Sequence, residues 1–401
     1  MKITIISHNY YPEDSGIGLY STGMAEYLAI NHDVTVVTGV PYYPQWEIYP
    51  QYKEHPQFST ETINNVKVYR FKQYTPSKPT FLKRVIQMLH FFVGSLITLF
   101  KVKKTAIVIV VLPFTTSVIL GWLCKIFQGA TLWVHIQDFE FDAAFKSKMT
   151  SKKQVVAKIL FGIERGVLNC ADCISTISHG MMDKLAKKTK VNQVYFPNWI
   201  DHSLIDPKVA PVCKLFDTNK FTVLYSGNIG EKQDWEFYIA FVKALENHPE
   251  IHFYLVGEGA RKTAVVSALE KLNNFTYHPP VAYKDLNELL CNADLHILFQ
   301  KPDFKDLVMP SKILGMMASA KPSLVTGHKD SEIKTSFEQS QGGFYFYEND
   351  IPAIKNKILY LKEHPETTHE AGIRARKYVL DHFSIEKILE QFEQDLISIN
   401  S

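Results

Sequence analysis

With 401 residues, the chain is longer than one hydrophobic core usually serves, and two domains are expected. Its 46% hydrophobic and 21% charged residues describe an ordinary folded protein. A net charge of +3, from 44 basic and 41 acidic residues, argues against bulk electrostatic capture of nucleic acid.

Residues 1–6, MKITII, lack the basic region, long apolar run and small-residue cleavage site of a signal peptide, which points to a cytoplasmic protein. Residues 2–7 read as a buried parallel strand, 8–18 as a loop holding Gly16 and Gly18, 19–30 as a helix and 33–38 as a second strand. This is a βαβ opening with glycines at its first turn. GIG is a poor match to the dinucleotide fingerprint, and Gly39 stands where an acid would hold a ribose. The glycines either let a ligand approach the backbone or serve turn geometry alone. Residues 41–56, rich in Tyr, Pro and Trp46, form an irregular aromatic segment that stacks on a sugar or lipid, or packs on its own domain.

A strand at 66–70 precedes FLKRVIQMLHFFVGSLITLF at 81–100, with Lys101, Lys103 and Lys104 beyond it. Interrupted by Lys83, Arg84 and His90, this run suits an interfacial helix on an anionic membrane or a core helix, and fits a spanning helix poorly. Strands at 107–112 and 131–134 flank a helix at 116–127, and the second delivers His135 and then IQDFEFD. The carboxyl end of a parallel strand is where open α/β sheets bind ligands. His135 is a candidate for proton transfer near neutral pH, with Asp138 or Glu140 orienting it or facing solvent. Further on come a helix at 153–170, a strand at 172–176, a helix at 178–187 and a short strand at 194–196. Cys170 and Cys173 have the spacing of a redox or metal pair. Their setting, a helix end running into a strand, reads instead as reduced structural thiols.

The first domain is placed at 1–205 and the second at 206–383, with 206–219 as linker and a terminal helix at 384–401 packing back on the first. In the second domain a strand at 221–225 runs into SGNIGEK. There, Gly227 and Gly230 let backbone N–H groups face a phosphate, with Lys232 as counter-charge. The strand at 251–256 with Gly257-Glu258-Gly259 repeats the pattern. A strand at 275–277, a capped helix at 283–291 and a strand at 295–299 lead to VMPSKILGMMASAKPSLV at 308–325. In that stretch Pro310 closes a loop, Ser311 caps a short apolar helix, and Lys312 puts a cation in its first turn. That cation either faces solvent or, with the helix N-terminus, meets an anion. A strand at 343–347 and a helix from 351 complete the domain.

YYPEDSGIGLYSTGMAEYLA at 10–29, WVHIQDFEFDAAF at 133–145, YSGNIGEKQ at 225–233 and MPSKILGMMASAKP at 309–322 together resemble the retaining GT-B glycosyltransferases of family 4. Within that family the chain is similar to bacterial capsule, O-antigen and colanic-acid enzymes that transfer L-fucose or N-acetyl-L-fucosamine. The resemblance implies two Rossmann-like α/β domains facing a cleft, with the acceptor mainly on the first and the sugar nucleotide mainly on the second. Gly16 and Gly18 match the glycine loop over the donor, and His135 the histidine that contacts the transferred sugar. Lys232 matches a diphosphate ligand, although Glu231 stands where many relatives carry arginine. Gly227, Asn228, Gly230, Pro310, Ser311 and Lys312 fall at donor-binding positions, the last three as the PSK motif of the fucosyl-type subgroup. Val281 and Tyr283 match the segment near the base. The family's two glutamates fall on Leu307 and Gly315, neither able to accept a side-chain hydrogen bond, so Asp303 or Asp306 is the candidate replacement for the first and Asp138 a further sugar contact.

The implied reaction is sugar transfer from a nucleotide diphosphate sugar, UDP rather than GDP, to a polyprenyl-diphosphate-linked saccharide at the inner face of the cell membrane. No cofactor is expected, and the lack of a DxD-like motif argues against an essential metal. Catalysis would rest on His135, Lys232 and Lys312, the lysines stabilising the departing diphosphate. Two other readings stay open: a nucleotide-sugar epimerase of the same fold, and a non-catalytic sugar-nucleotide-binding scaffold at the membrane.

Overall fold

A computed structural model describes residues 1–78, 80–139, 151–301 and 311–400. Two compact units share the chain. One comprises Met1–Pro197 with Leu389–Ser401, and the other Asn198–Ile388.

The first unit begins with β1 (Lys2–Ser7), α1 (Gly16–Leu28) and β2 (Asp33–Gly39). A hairpin of β3 (Phe58–Ile63) and β4 (Val66–Phe71) follows. Then come α2 (Phe81–Leu99), β5 (Ile107–Leu112), α3 (Thr116–Gln128) and β6 (Thr131–Ile136). The set ends with α4 (Ser151–Leu168), β7 (Cys173–Thr176), α5 (His179–Lys188) and β8 (Asn192–Tyr195). The strand order is β3-β4-β2-β1-β5-β6-β7-β8, parallel throughout except for β3 against β4. Helix-covered parallel strands are wet on neither face, which is why β5 is a continuous apolar run buried at every residue. The sequence reading passed over β3. Its turn, Asn64-Asn65, has both φ angles positive (46° and 66°), the backbone of a two-residue primed hairpin that asparagine tolerates.

The second unit runs β9 (Phe221–Ser226), α6 (Trp235–Ala244), β10 (Ile251–Val256), α7 (Lys262–Leu269) and β11 (Phe275–His278). It continues with α8 (Leu286–Cys291), β12 (Leu295–Phe299), α9 (Ser311–Ala318), β13 (Ser323–Thr326), α10 (Glu332–Ser340) and β14 (Gly343–Phe346). Helices α11 (Ile351–Glu363) and α12 (Pro365–Phe383) cover it, and α13 (Ile385–Asn400) closes the chain. The six strands are all parallel, in the order β11-β10-β9-β12-β13-β14. The α13 helix ends on the first unit, where Phe392 stacks on Phe196 at 4.0 Å and meets Trp133 edge-on at 5.2 Å.

Each sheet therefore winds outward in both directions from its own first strand. The order reverses between β1 and β5 in one unit and between β9 and β12 in the other. Loops leaving the carboxyl ends of strands on either side of such a reversal diverge, and the crevice between them is where open α/β sheets take ligands. The Gly16 and Gly227 segments leave strands at these two points, and α9 is the helix that follows β12.

Candidate active site

In the second unit the crevice is built from two glycine turns and one lysine. Gly227 adopts φ +130°, Gly257 φ +154° and Gly259 φ +157°, all unfavourable for residues with a Cβ. The turns are packed backbone to backbone: a Cβ on Gly257 would lie 1.9 Å from the Gly227 carbonyl oxygen, and one on Gly259 2.4 Å from that of Ile229. Gly227 N–H donates to Val256 O (2.9 Å) and Ile229 N–H to Glu258 O (2.8 Å). The Gly227 amide is thus spent inside the protein, so the amides that this turn leaves open are those of its neighbours. The amides of Asn228 and Gly230 have no hydrogen-bond partner among the described residues.

Lys312, in the first turn of α9, reaches this turn. Its Nζ donates to Tyr225 Oη at 2.9 Å and lies 4.6 Å from the centre of that ring, a cation–π contact. Tyr225 in turn donates to Asn228 O (2.6 Å), so the phenol links the lysine to the loop. A Cβ on Gly227 would meet Lys312 Nζ at 2.9 Å. The residue as a whole is half-buried, but its ammonium end is enclosed, and burial lowers its pKa from 10.5 to about 8. The solvent-facing alternative for Lys312 does not hold. Among the polar side chains described around it, only neutral groups contact the Nζ, which leaves a desolvated cation beside free amides and a helix N-terminus.

The other expected residues of this unit are more dispersed. Lys232 is exposed, and its carbonyl accepts from Lys301 N–H at 3.4 Å. Glu231 pairs with Arg261 (3.7 Å), which also holds Glu236, so a guanidinium does arrive beside this acid. Sequence reading missed Arg261 because it comes from the neighbouring turn, pinned there by its N–H to Ile229 O (3.0 Å). Val281 is half-buried against the core and Tyr283 exposed at the start of a 3₁₀ turn, on the loop beyond β11. Ser311 is exposed and Gly315 lies within α9. Asp303, Asp306, Leu307 and Pro310 lie outside the described residues.

In the first unit Gly16 and Gly18 separate into two roles. Gly16 opens α1 at φ +57° and is exposed. Gly18 is buried against Glu13, where a Cβ would come within 2.7 Å of the glutamate Cβ and 2.8 Å of its carbonyl oxygen. Glu13, which the sequence reading did not single out, is itself buried. Its Oε1 accepts from the Tyr42 and Tyr43 amides (2.7 and 2.8 Å) and its Oε2 from Asn9 Nδ2 (2.7 Å).

His135 sits at the carboxyl end of β6, 2% exposed. Its Nδ1 is 2.9 Å from Ser175 Oγ and its Nε2 is 2.9 Å from the Gln137 amide nitrogen, with Phe196 against the ring. Burial lowers its pKa to about 3. Burial therefore favours the neutral ring at pH 7 and works against the expectation that it moves a proton near neutral pH. A neutral imidazole can still donate or accept a hydrogen bond. Gln137 and Ser175, not Asp138, engage it: Asp138 is exposed, and Glu140 lies outside the described residues.

Two α/β units, each with its strand order reversing beside its first strand, constitute the GT-B architecture of sugar-nucleotide-dependent glycosyltransferases. Comparison with known proteins places the chain more narrowly. Residues 15–199 match the model of the glycosyl transferase 4-like domain and residues 220–364 that of glycosyl transferases group 1. Over 99% of this chain and 100% of the relative, it is 32% identical to an Escherichia coli (strain K12) protein that carries the name of a colanic acid biosynthesis glycosyl transferase, WcaI. The chain belongs to this glycosyltransferase family and is a transferase. Sucrose-phosphate synthase from Thermosynechococcus elongatus superposes with a TM-score of 0.76 at 15% identity, covering 99% and 98% of the two chains. Anabaena HepE, solved in complex with UDP-glucose, superposes with a TM-score of 0.69 at 15% identity, covering 99% and 100%.

Proposed function

We propose that this glycosyltransferase moves an L-fucose-type sugar, N-acetyl-L-fucosamine or L-fucose, from its UDP-sugar to a polyprenyl-diphosphate-linked saccharide in surface polysaccharide synthesis, with retention at the anomeric carbon. The observation that carries the reading is Lys312 Nζ, desolvated and set against the Gly227 turn. As the glycosidic bond to the diphosphate breaks, negative charge grows on the departing oxygen. A fixed ammonium group with little water around it, flanked by unspent amides and the N-terminus of α9, stabilises that charge without reorganising. The neutral, doubly bonded His135 serves as a positioner of the sugar rather than as an acid or base. The UDP in the HepE complex and the name of the Escherichia coli relative support the donor and pathway assignments. A thermal-shift panel of UDP- and GDP-sugars tests the reading. UDP-N-acetyl-L-fucosamine or another UDP-6-deoxyhexose should stabilise most, and a preference for GDP-sugars would refute the donor assignment.

A lipid-linked acceptor would call for contact with the cytoplasmic side of a membrane, and α2 supports that reading. By length and composition α2 could cross a membrane, yet Gln87, Phe91 and Ser95 face the protein interior. Its opposite face presents Leu82, Ile86, Leu89, Val93 and Ile97 to solvent, with Phe100 beyond its end, a stripe at helical spacing. From residue 62 to residue 137 the sequence holds ten lysines and arginines and no acidic residue, although the whole chain is nearly neutral. A solvent-facing apolar stripe within an acid-free basic segment is complementary to an anionic bilayer surface. Vesicles containing an anionic phospholipid should bind the protein, and K83A/R84A should weaken that binding. Unchanged binding would return α2 to a purely structural role.

A further inference from the structure

We propose that Glu13 is a positioning residue of the transfer reaction, a buried carboxylate that clamps the aromatic loop at 40–49 onto the glycine loop, with the clamp tightened when the carboxyl is ionised. The inference rests on the family reading that the Gly16–Gly18 loop meets the donor sugar. The geometry needs no such reading. Glu13 is 2% exposed, and its three hydrogen bonds reach two different loops: Asn9 on its own, Tyr42 and Tyr43 on the other. Its Cβ and carbonyl oxygen fill the space over Gly18, so the same residue sets the path into α1. Tyr42 and Tyr43 then carry Trp46, whose ring lies 5.4 and 6.5 Å from theirs. Movement of one carboxylate therefore moves the aromatic face of the loop relative to the glycine turn.

All three described partners of the carboxylate are N–H donors. Protonation turns an acceptor into a donor, and the backbone amides of Tyr42 and Tyr43 cannot reverse their polarity to accept it. Asn9 can turn over its amide, which leaves the two tyrosine amides on a neutral oxygen and without charge assistance. The charged and titratable groups around the carboxylate are few. Arg70 on β4 favours its ionised form, while Arg84 on α2 faces Tyr42 and Tyr43. Tyr42, Tyr43 and Tyr49 from the aromatic loop, Asp14 beside the carboxylate and His8, whose Nδ1 is 3.3 Å from Tyr42 Oη, complete the set among the described residues. Burial outweighs the favourable contacts and raises the Glu13 pKa to about 7, which brings the change of clamp into the physiological range.

The test follows Trp46 emission, isolated as the part of the signal that W46F removes, between pH 5 and 9. Wild type should show an inflection near pH 7 that E13Q lacks. In parallel, kcat/KM for transfer from the UDP-sugar should rise about tenfold through the same range in wild type and be flat in E13Q, while UDP binding by the second unit stays unchanged. A flat Trp46 signal in wild type, or an inflection that persists in E13Q, overturns the proposal, and the wild-type titration decides even if E13Q does not fold. A Trp46 inflection without a matching change in kcat/KM refutes the catalytic part alone, which separates failure of the clamp from failure of the donor-loop reading.

Discussion

Lys312→Met offers a test in which stability and binding should move in opposite directions. Methionine nearly matches the volume of the lysine stem but carries no charge. In the folded chain the ammonium group loses hydration, and its pKa falls from 10.5 to about 8. That difference corresponds to at most about 3 kcal/mol of unfavourable free energy at pH 7, reduced by the part of the residue that remains in solvent. The bond to Tyr225 Oη is lost, worth about 1 kcal/mol, but Tyr225 keeps its own acceptor in Asn228 O. Lys312→Met should therefore stabilise the free protein by about 1–2 kcal/mol. Nucleotide binding should weaken about 10- to 100-fold, because a charge-assisted contact to the diphosphate contributes about 1.5–3 kcal/mol. The sign of the pH effect follows from the depressed pKa. Between about pH 8 and 10.5 the unfolded lysine binds a proton that the folded one releases, so this residue's contribution raises wild-type stability with pH across that window, and Lys312→Met removes the slope. Urea unfolding across pH, with calorimetric titration of UDP, measures all three quantities. A variant that is less stable than wild type and binds UDP equally well would refute the reasoning.

Gly257→Ala should destabilise the second unit by about 2–4 kcal/mol, since its Cβ would meet the Gly227 carbonyl at 1.9 Å on a backbone with φ +154°, and urea unfolding reads this directly. His135→Ala should lower kcat strongly while leaving UDP affinity within about twofold of wild type; a near-normal rate would remove its role at the sugar. Glu13→Gln should flatten a fall in stability with rising pH, because a carboxyl raised to about pKa 7 holds its proton in the folded state between about pH 4.5 and 7 and loses that advantage as pH climbs. Leu89→Glu, on the exposed stripe of α2, should reduce binding to anionic vesicles at least about fivefold with little change in thermal stability; a large loss of stability would mean that this face is packed in solution.

The architecture was legible because its signals are local. Buried parallel strands announce themselves as short apolar runs, and glycine clusters at their carboxyl ends mark the turns that need positive φ, as at Gly227, Gly257 and Gly259. Even the pairing of the Gly227 turn with the Ser311 helix could be anticipated, since strand, turn and helix recur in a fixed order. Three things were not legible. Whether His135 titrates depends on Ser175 and Phe196, which are far from it in sequence and reach it only across the sheet and beyond. Glu13 looked like an ordinary loop acid until two backbone amides from residues 42 and 43 closed on it. The third, Pro365–Phe383, is a separate helix that reading a single helix from residue 351 passed over, although Pro365 at its first position is a helix-start signal.

If this turn holds a diphosphate, as proposed, Arg261 bears on how so few cations would suffice. Counting charge alone, the loop after β9 is poorly equipped: it carries the acid Glu231, and the guanidinium of Arg261 is shared between Glu231 and Glu236. A cation already matched by two exposed carboxylates has little field left over for a ligand, and solvent screens what remains. Lys312 is the reverse case. Its described polar contact is a neutral phenol, its ammonium end is enclosed, and its unfavourable hydration is relieved only when an anion arrives. The attraction between unit charges grows as the local dielectric falls, so one enclosed lysine can contribute more than several exposed ones. On the proposed reading, strength of binding at this turn is set by the desolvation of Lys312 rather than by the number of basic residues near it. Lys232→Ala should then cost several-fold less UDP affinity than Lys312→Met, and the opposite order would show that exposed charge, not enclosure, holds the diphosphate.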